Sequence, residues 1–281
     1  MPPKKIIAFD LPRRVEREYE AALGHIVKEV LAPRMPEESL EKWLQRIEAR
    51  SRQADIMEAA NELAKRLYLH TATVNARTWR EAARRSMHGK RLYDLLQSEL
   101  QQGPTGAYVT QLVRENARLI SSLPAVSARQ ITDEIAKAAQ SGARPATMAK
   151  MMATRFPKLL RSRVKLIART ETAKASTALT EARCTYLAIP FYIWEGSMDQ
   201  RVRTSHRKMQ GIIIPWAHPP SPEALVGEKS TLGNYHAGSA PNCRCYPAAL
   251  LDPSDVQWPH SVFWNGSIQR MSLAQFRQIA A

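Results

Sequence analysis

The sequence predicts an α+β protein: a mostly α-helical N-terminal region, then a small α+β C-terminal domain with few short strands. Two observations carry this. From residue 13 to about 188, apolar residues recur three or four apart between Gly and Pro breaks. After Pro190 come short aromatic and β-branched runs, Phe191-Tyr192-Ile193-Trp194 and Ile212-Ile213-Ile214-Pro215-Trp216. The expected division is a helical region over 1–157, a long connecting helix over 158–189, a compact domain over 190–252 and a tail over 253–281.

The first helix is expected over 13–31, where Val15, Tyr19, Ala22 and Ile26 keep helical spacing, and Pro33 and Pro36 end it. One long amphipathic helix follows from about 37 to 69, with Glu37 and Glu38 at the positive end of its dipole. Past a break it resumes beyond Trp79. Gly89 and the Gly103-Pro104-Thr105-Gly106 turn separate further helices at about 91–102, 107–121 and 125–140, with Pro124 as a joint. A short helix is expected over 145–155, opened by Pro145. The last long helix, about 158–188, has Leu160, Val164, Ile167, Ala175, Ala178, Ala182 and Tyr186 on one face. Glu171 falls on that stripe, either at its edge in water or as an anchor paired with an arginine of the next domain. Beyond the two apolar runs, a helix near 203–209, a loop over 217–242 and a strand near 245–250 are expected. Trp258, Phe263 and Trp264 should anchor an otherwise irregular tail that ends in a helix near 272–280.

A chain of 281 residues, 44% hydrophobic and 24% charged, can build a core without staples. It has no apolar run of membrane-spanning length. Asp10, Pro12, Arg13 and Arg14 interrupt the N-terminal apolar patch too soon for a signal peptide, so export by the general route is not expected. Three cysteines argue against a disulfide framework. The net charge of +15 favours an acidic partner, either nucleic acid or an acidic protein surface. Residues 144–184 hold ten Lys or Arg against two Glu. Arg155, Lys158, Arg161, Lys165 and Arg169 are the candidate contacts with DNA or an acidic partner, three of them four apart on one ridge.

Chemistry-bearing residues crowd into Trp194–Cys245. Cys243 and Cys245 point to the same side of an extended segment. Two thiolates there can share zinc, with His206 and His236 as further ligands and Asp199 in reserve. The alternative is a pair of buried thiols beside a hydrogen-bonded lock of Asp199, Arg201 and His206. A nuclease built on His206, Asn234, His236 and Asn242 lacks the expected spacing. No histidine is marked to activate Cys184 or Cys243, and no residue is assigned as catalytic.

These residues resemble a known family, the Mu F-like minor head proteins of tailed bacteriophages, to which the SPP1-type minor head protein is similar. The resemblance covers roughly 160–250. Its pieces are Arg169-Thr170-Glu171, the aromatic strand Tyr192 to Trp194, Asp199-Gln200-Arg201-Val202-Arg203-Thr204-Ser205-His206 with Gly211, and Asn242-Cys243-Arg244-Cys245. It implies a motif lock of Arg169, Glu171, Arg201, Arg203, Asn242 and Arg244. It also implies a structural protein, not an enzyme, carried in few copies inside the procapsid near the portal. Such a protein assembles in the host cytoplasm and assists head assembly, with DNA contact during packaging or ejection. The implied partners are the portal, capsid or scaffolding protein, and DNA, with no membrane. The alternatives are a basic DNA-binding protein acting on the genome and a metal-dependent hydrolase or nuclease.

Overall fold

A computed structural model describes residues 13–35, 37–85, 90, 94, 105–196 and 202–280. The chain is α+β, with helices first and a five-stranded sheet last. It divides into two compact units. One is helical and takes 13–69 and 110–171; the other takes the described parts of 70–109 and 172–280 and holds the sheet. Among the described residues, no helix is long and apolar enough to cross a membrane.

In the helical unit, α1 (Arg13–Val30) buries Val15, Tyr19, Leu23, Ile26, Val27 and Val30, the apolar face of a 3.6-residue period. The single long helix expected over 37–69 is two. Helix α2 (Leu40–Ser51) is capped by Ser39, whose hydroxyl accepts from the Lys42 N–H. Glu38 lies outside the helix, ion-paired to Arg46 at 2.7 Å. The backbone then tightens to i→i−3 bonds at Arg52 and Gln53 before α3 (Ala54–Arg85) begins. Trp43, Ile47 and Ser51 form the buried edge of α2, and Ile56, Ala60, Leu63 and Leu67 that of α3. Helix α3 runs through residue 69 and Trp79 without the expected break.

Residues 107–121 and 125–140 likewise belong to one helix, α4 (Thr105–Gln140), with Pro124 inside it. Three serine hydroxyls bond carbonyls around the proline: Ser121 to Arg118, Ser122 to Leu119 and Ser127 to Leu123. Ile120, Leu123 and Ala128 are buried beside it, so packing outweighs the lost N–H. Apart from residue 94, which is helical, the helix expected near 91–102 and the turn residues Gly89, Gly103 and Pro104 lie outside the described residues.

Helix α5 (Pro145–Lys150) continues through a π-helical turn, Met151–Arg155, into α6 (Phe156–Tyr186). The Phe156 N–H reaches the Met151 carbonyl, an i→i−5 bond. Pro157 has no N–H for an α-helical bond and its ring crowds that carbonyl row, so the wider turn accommodates it. Helix α6 is more than the expected connector. Its residues 156–171 group with the helical unit and 172–186 with the sheet unit. Ala173, Ala175, Leu179 and Cys184 are buried on several of its sides.

The sheet order is β3-β1-β2-β4-β5. Strand β1 (Phe191–Glu195) lies antiparallel to β2 (Ile213–Pro215), with Tyr192 opposite Ile214, and to β3 (Tyr246–Ala249), with Ile193 opposite Ala248. Residues expected to be irregular instead form β4 (His260–Trp264) and β5 (Ser267–Met271), and the helix expected near 272–280 is α8 (Leu273–Ala280). Strand β4 pairs parallel to β2, and β5 closes a hairpin on it. Asn265 and Gly266 form the two-residue turn, at φ of 48° and 81°, the positive values that match strand twist.

Successive residues of β1 face opposite ways. Phe191 packs on Phe276 of α8 and on Trp264, with ring centroids 4.9 Å and 6.4 Å away. Tyr192 and Trp194 face the other side, toward Trp216, His236, His206 and Tyr235. Burial on both faces explains why β1 reads as a continuous apolar run rather than an alternating one.

Candidate functional site

The site lies in the sheet unit. It is built from α7 (Thr204–Lys208), the loop 217–245 and the Tyr192–Trp194 face of β1. His206 points inward from α7 and is 3% exposed. Cys243 and Cys245 are 4% and 1% exposed. Asn242 stands just before them at φ 59°, a left-handed value that asparagine adopts more readily than most residues. The chain reverses there, and both sulfurs face His206. Nδ1 of His206 lies 3.4 Å from the Cys243 sulfur and 3.5 Å from that of Cys245. The Cys245 N–H donates to the Cys243 sulfur at 3.3 Å.

The other imidazole nitrogen is equally committed. Nε2 of His206 lies 2.8 Å from the Tyr235 hydroxyl, which lies 2.8 Å from both carboxylate oxygens of Glu223. The phenol has one proton and gives it to the carboxylate. It therefore accepts from Nε2–H, leaving the Nδ1 lone pair directed at the sulfurs. Glu223 also accepts from the Ser205 hydroxyl at 3.3 Å. Burial, then the bond to Glu223, pushes the Tyr235 hydroxyl up and keeps it a neutral phenol. The hydrogen bond with Cys245 pulls the Cys243 thiol down, while the Cys245 thiol is pushed up by Cys243 and by burial.

Of the expected ligands, the structure brings His206, Cys243 and Cys245 together and places His236 apart. Nδ1 of His236 lies 3.3 Å from the Tyr192 hydroxyl, its Nε2 lies 3.7 Å from Glu181, and its ring packs on Trp216. Asp199 and Arg201 lie outside the described residues. Arg203 donates to the Pro241 carbonyl at 2.9 Å, bracing the turn before Cys243. Arg244 is half-buried between the two cysteines. Arg169 and Glu171 have partners in the helical unit: Arg169 pairs with Glu16 at 3.3 Å, and Glu171 accepts from Asn116 at 3.1 Å. Glu171 is 7% exposed, so it does not sit at a wet edge. Lys158, Arg161 and Lys165 are exposed, while Arg155 is ion-paired to Glu134 at 3.0 Å. Tyr235 and Glu223 hold His206 from its Nε2 side. Each is an ordinary loop residue in sequence, and nothing in their spacing marks them.

His236 gives the stability of the sheet unit a pH dependence. Burial pulls its imidazole from the ordinary 6.5 down to about 4. As pH falls below 6.5 the unfolded chain takes up a proton that the folded chain refuses. Stability is therefore lost progressively until pH reaches about 4, by about 2 kcal/mol after allowing for partial exposure. Burial pushes Glu181 up, which offsets part of this loss. Urea melts from pH 7 to pH 4 should show a shallower loss in His236→Gln than in the parent, and parallel curves would refute the assignment.

The helical unit contains a groove of about 1630 Å³ between α1 and the α5–α6 segment. Val27, Trp43, Phe156 and Val164 line its apolar wall, and exposed Lys28, Arg161 and Lys165 rim it.

Residues 129–248 match the family described as Phage Mu protein F like protein. An uncharacterized protein of Haemophilus influenzae is 30% identical over 150 residues, covering 52% of this chain and 30% of that relative. No solved structure matches.

Proposed function

We propose, from the premise that this chain is a Mu F-like phage protein over residues 129–248, that it serves head morphogenesis in a tailed bacteriophage, inside the procapsid near the portal. One observation supports a structural role for the matched segment. His206, Glu223, Cys243 and Cys245 are 3%, 6%, 4% and 1% exposed and engage one another or Tyr235. A catalytic centre must admit its substrate. This constellation is closed and fastens α7 to the strand β3 end of the loop.

The groove of the helical unit is the partner surface in this reading. An apolar wall under a basic rim suits an acidic amphipathic helix of a portal or scaffolding protein. The chain should co-sediment with procapsids, and the Lys28→Glu, Arg161→Glu, Lys165→Glu triple variant should not. Parent protein left in the supernatant beside intact procapsids overturns the reading.

A second reading, contact with packaged DNA, rests on Lys158, Arg161 and Lys165, exposed and three and four apart on α6. Duplex binding should then weaken steeply with salt, with a log–log slope of about −0.9 per phosphate contacted. Charge reversal of these three should abolish it. Arg155 and Arg169, held by Glu134 and Glu16, should matter less. Unchanged affinity in the triple variant excludes the DNA role for this ridge.

A further inference from the structure

The geometry points to a zinc site made by Nδ1 of His206 and the sulfurs of Cys243 and Cys245. The three donor atoms lie within 4.8 Å of one another, and all three side chains are buried. A tetrahedral ion with Zn–S of about 2.3 Å and Zn–N of about 2.0–2.1 Å separates nitrogen from sulfur by about 3.5 Å. The observed separations are 3.4 Å and 3.5 Å. A thiol–imidazole hydrogen bond does not explain the pair. Nδ1 has one lone pair and can accept from one thiol, yet it stands almost equally far from two sulfurs. A shared ion requires that arrangement.

The surroundings are those of a metal centre. Glu223 and Tyr235 hold Nε2 of His206 in the N–H form, which fixes the ring and turns Nδ1 toward the sulfurs. The Cys245 N–H supports charge on the Cys243 sulfur. One imidazole and two thiolates suit zinc and disfavour magnesium or calcium, which take oxygen ligands. The two thiolates also neutralise the ion, as a buried site requires. Among the described residues three side chains supply donors. The ion would cross-link α7 to the Cys-Arg-Cys segment ahead of β3, bracing the loop between them.

The test is metal content by mass spectrometry on the full chain purified without a histidine tag. We expect about one zinc per chain, lost in Cys243→Ser, Cys245→Ser and kept in Cys184→Ser. A second arm needs no variant: chelator-stripped parent protein is titrated with cobalt(II). Thiolate-to-cobalt charge-transfer bands with tetrahedral d–d bands support the site. Tyr235→Phe, which removes only the hydroxyl that holds Nε2 of His206, should weaken zinc about 10–100-fold in competition with a chromophoric chelator. Stripped, folded parent that takes up no cobalt overturns the proposal. So does zinc retained at full stoichiometry in the double cysteine variant.

Discussion

Gly238→Ala should cost about 3–5 kcal/mol, the largest effect expected at any of the described glycines. Gly238 stands at φ 90°, where an L side chain is strained before any contact is considered. A Cβ there would lie 2.5 Å from the Thr177 hydroxyl of α6 and 3.0 Å from the Cys245 carbonyl. The second contact is with backbone and cannot rotate away. The first is with a hydroxyl already donating to the Ala237 carbonyl at 2.7 Å, the bond that holds the loop on the helix. The added methyl must therefore push the 235–245 loop off α6, and Tyr235 and Cys245 with it. The urea midpoint should fall sharply, and in the same variant metal uptake should weaken. Thr177→Ser, which keeps the hydroxyl, should be mild by comparison. A Gly238→Ala protein within about 1 kcal/mol of the parent would mean the loop is not seated as described.

The same loop shows where the sequence could be read and where it could not. Strands β1 to β3 were legible because burial on both faces demands β-branched and aromatic runs, and Phe191–Trp194 supplies one. Strands β4 and β5 are far less legible, although Asn265-Gly266 has the residues of a hairpin turn. The reason is that β5, Ser-Ile-Gln-Arg-Met, is largely exposed and lacks an apolar alternation. Pro124 reads as a break because a proline in isolation ends a helix, whereas here buried neighbours on both sides hold the helix through it. The break at 52–53 has no glycine or proline, only a change in which face is buried, and faces are set by tertiary packing. At the site, residue type singled out His206, Cys243 and Cys245. Convergence cannot be read from type, and His236 lies one residue past Tyr235 yet faces Tyr192 and Glu181 instead. Tyr235 and Glu223 gain their roles only from the fold.

Glu171 is the clearest instance of a sequence anomaly resolved by a partner far along the chain. Its carboxylate accepts from Asn116 Nδ2 at 3.1 Å, and Asn116 Oδ1 accepts from the Tyr19 hydroxyl at 3.0 Å. Asn116 is 1% exposed and Tyr19 2%, so one amide serves two buried groups from α1 and α6. Asn116→Ala removes a donor from a buried carboxylate and an acceptor from a buried phenol at once. The first loss is worth about 1.5–3 kcal/mol and the second about 1–2 kcal/mol, so about 2.5–5 kcal/mol should be lost in urea melts at neutral pH. Asn116→Asp separates the two roles. It keeps an acceptor for Tyr19 but sets a second carboxylate against Glu171, so at neutral pH it should be at least as damaging as the alanine. Acidification protonates one of the two facing carboxyls and restores the missing donor. Relative to Asn116→Ala, the aspartate variant should therefore gain stability as pH falls from 7 to about 4. If both variants lose the same amount at every pH, Asn116 acts by packing alone and the hydrogen bond to Glu171 contributes nothing.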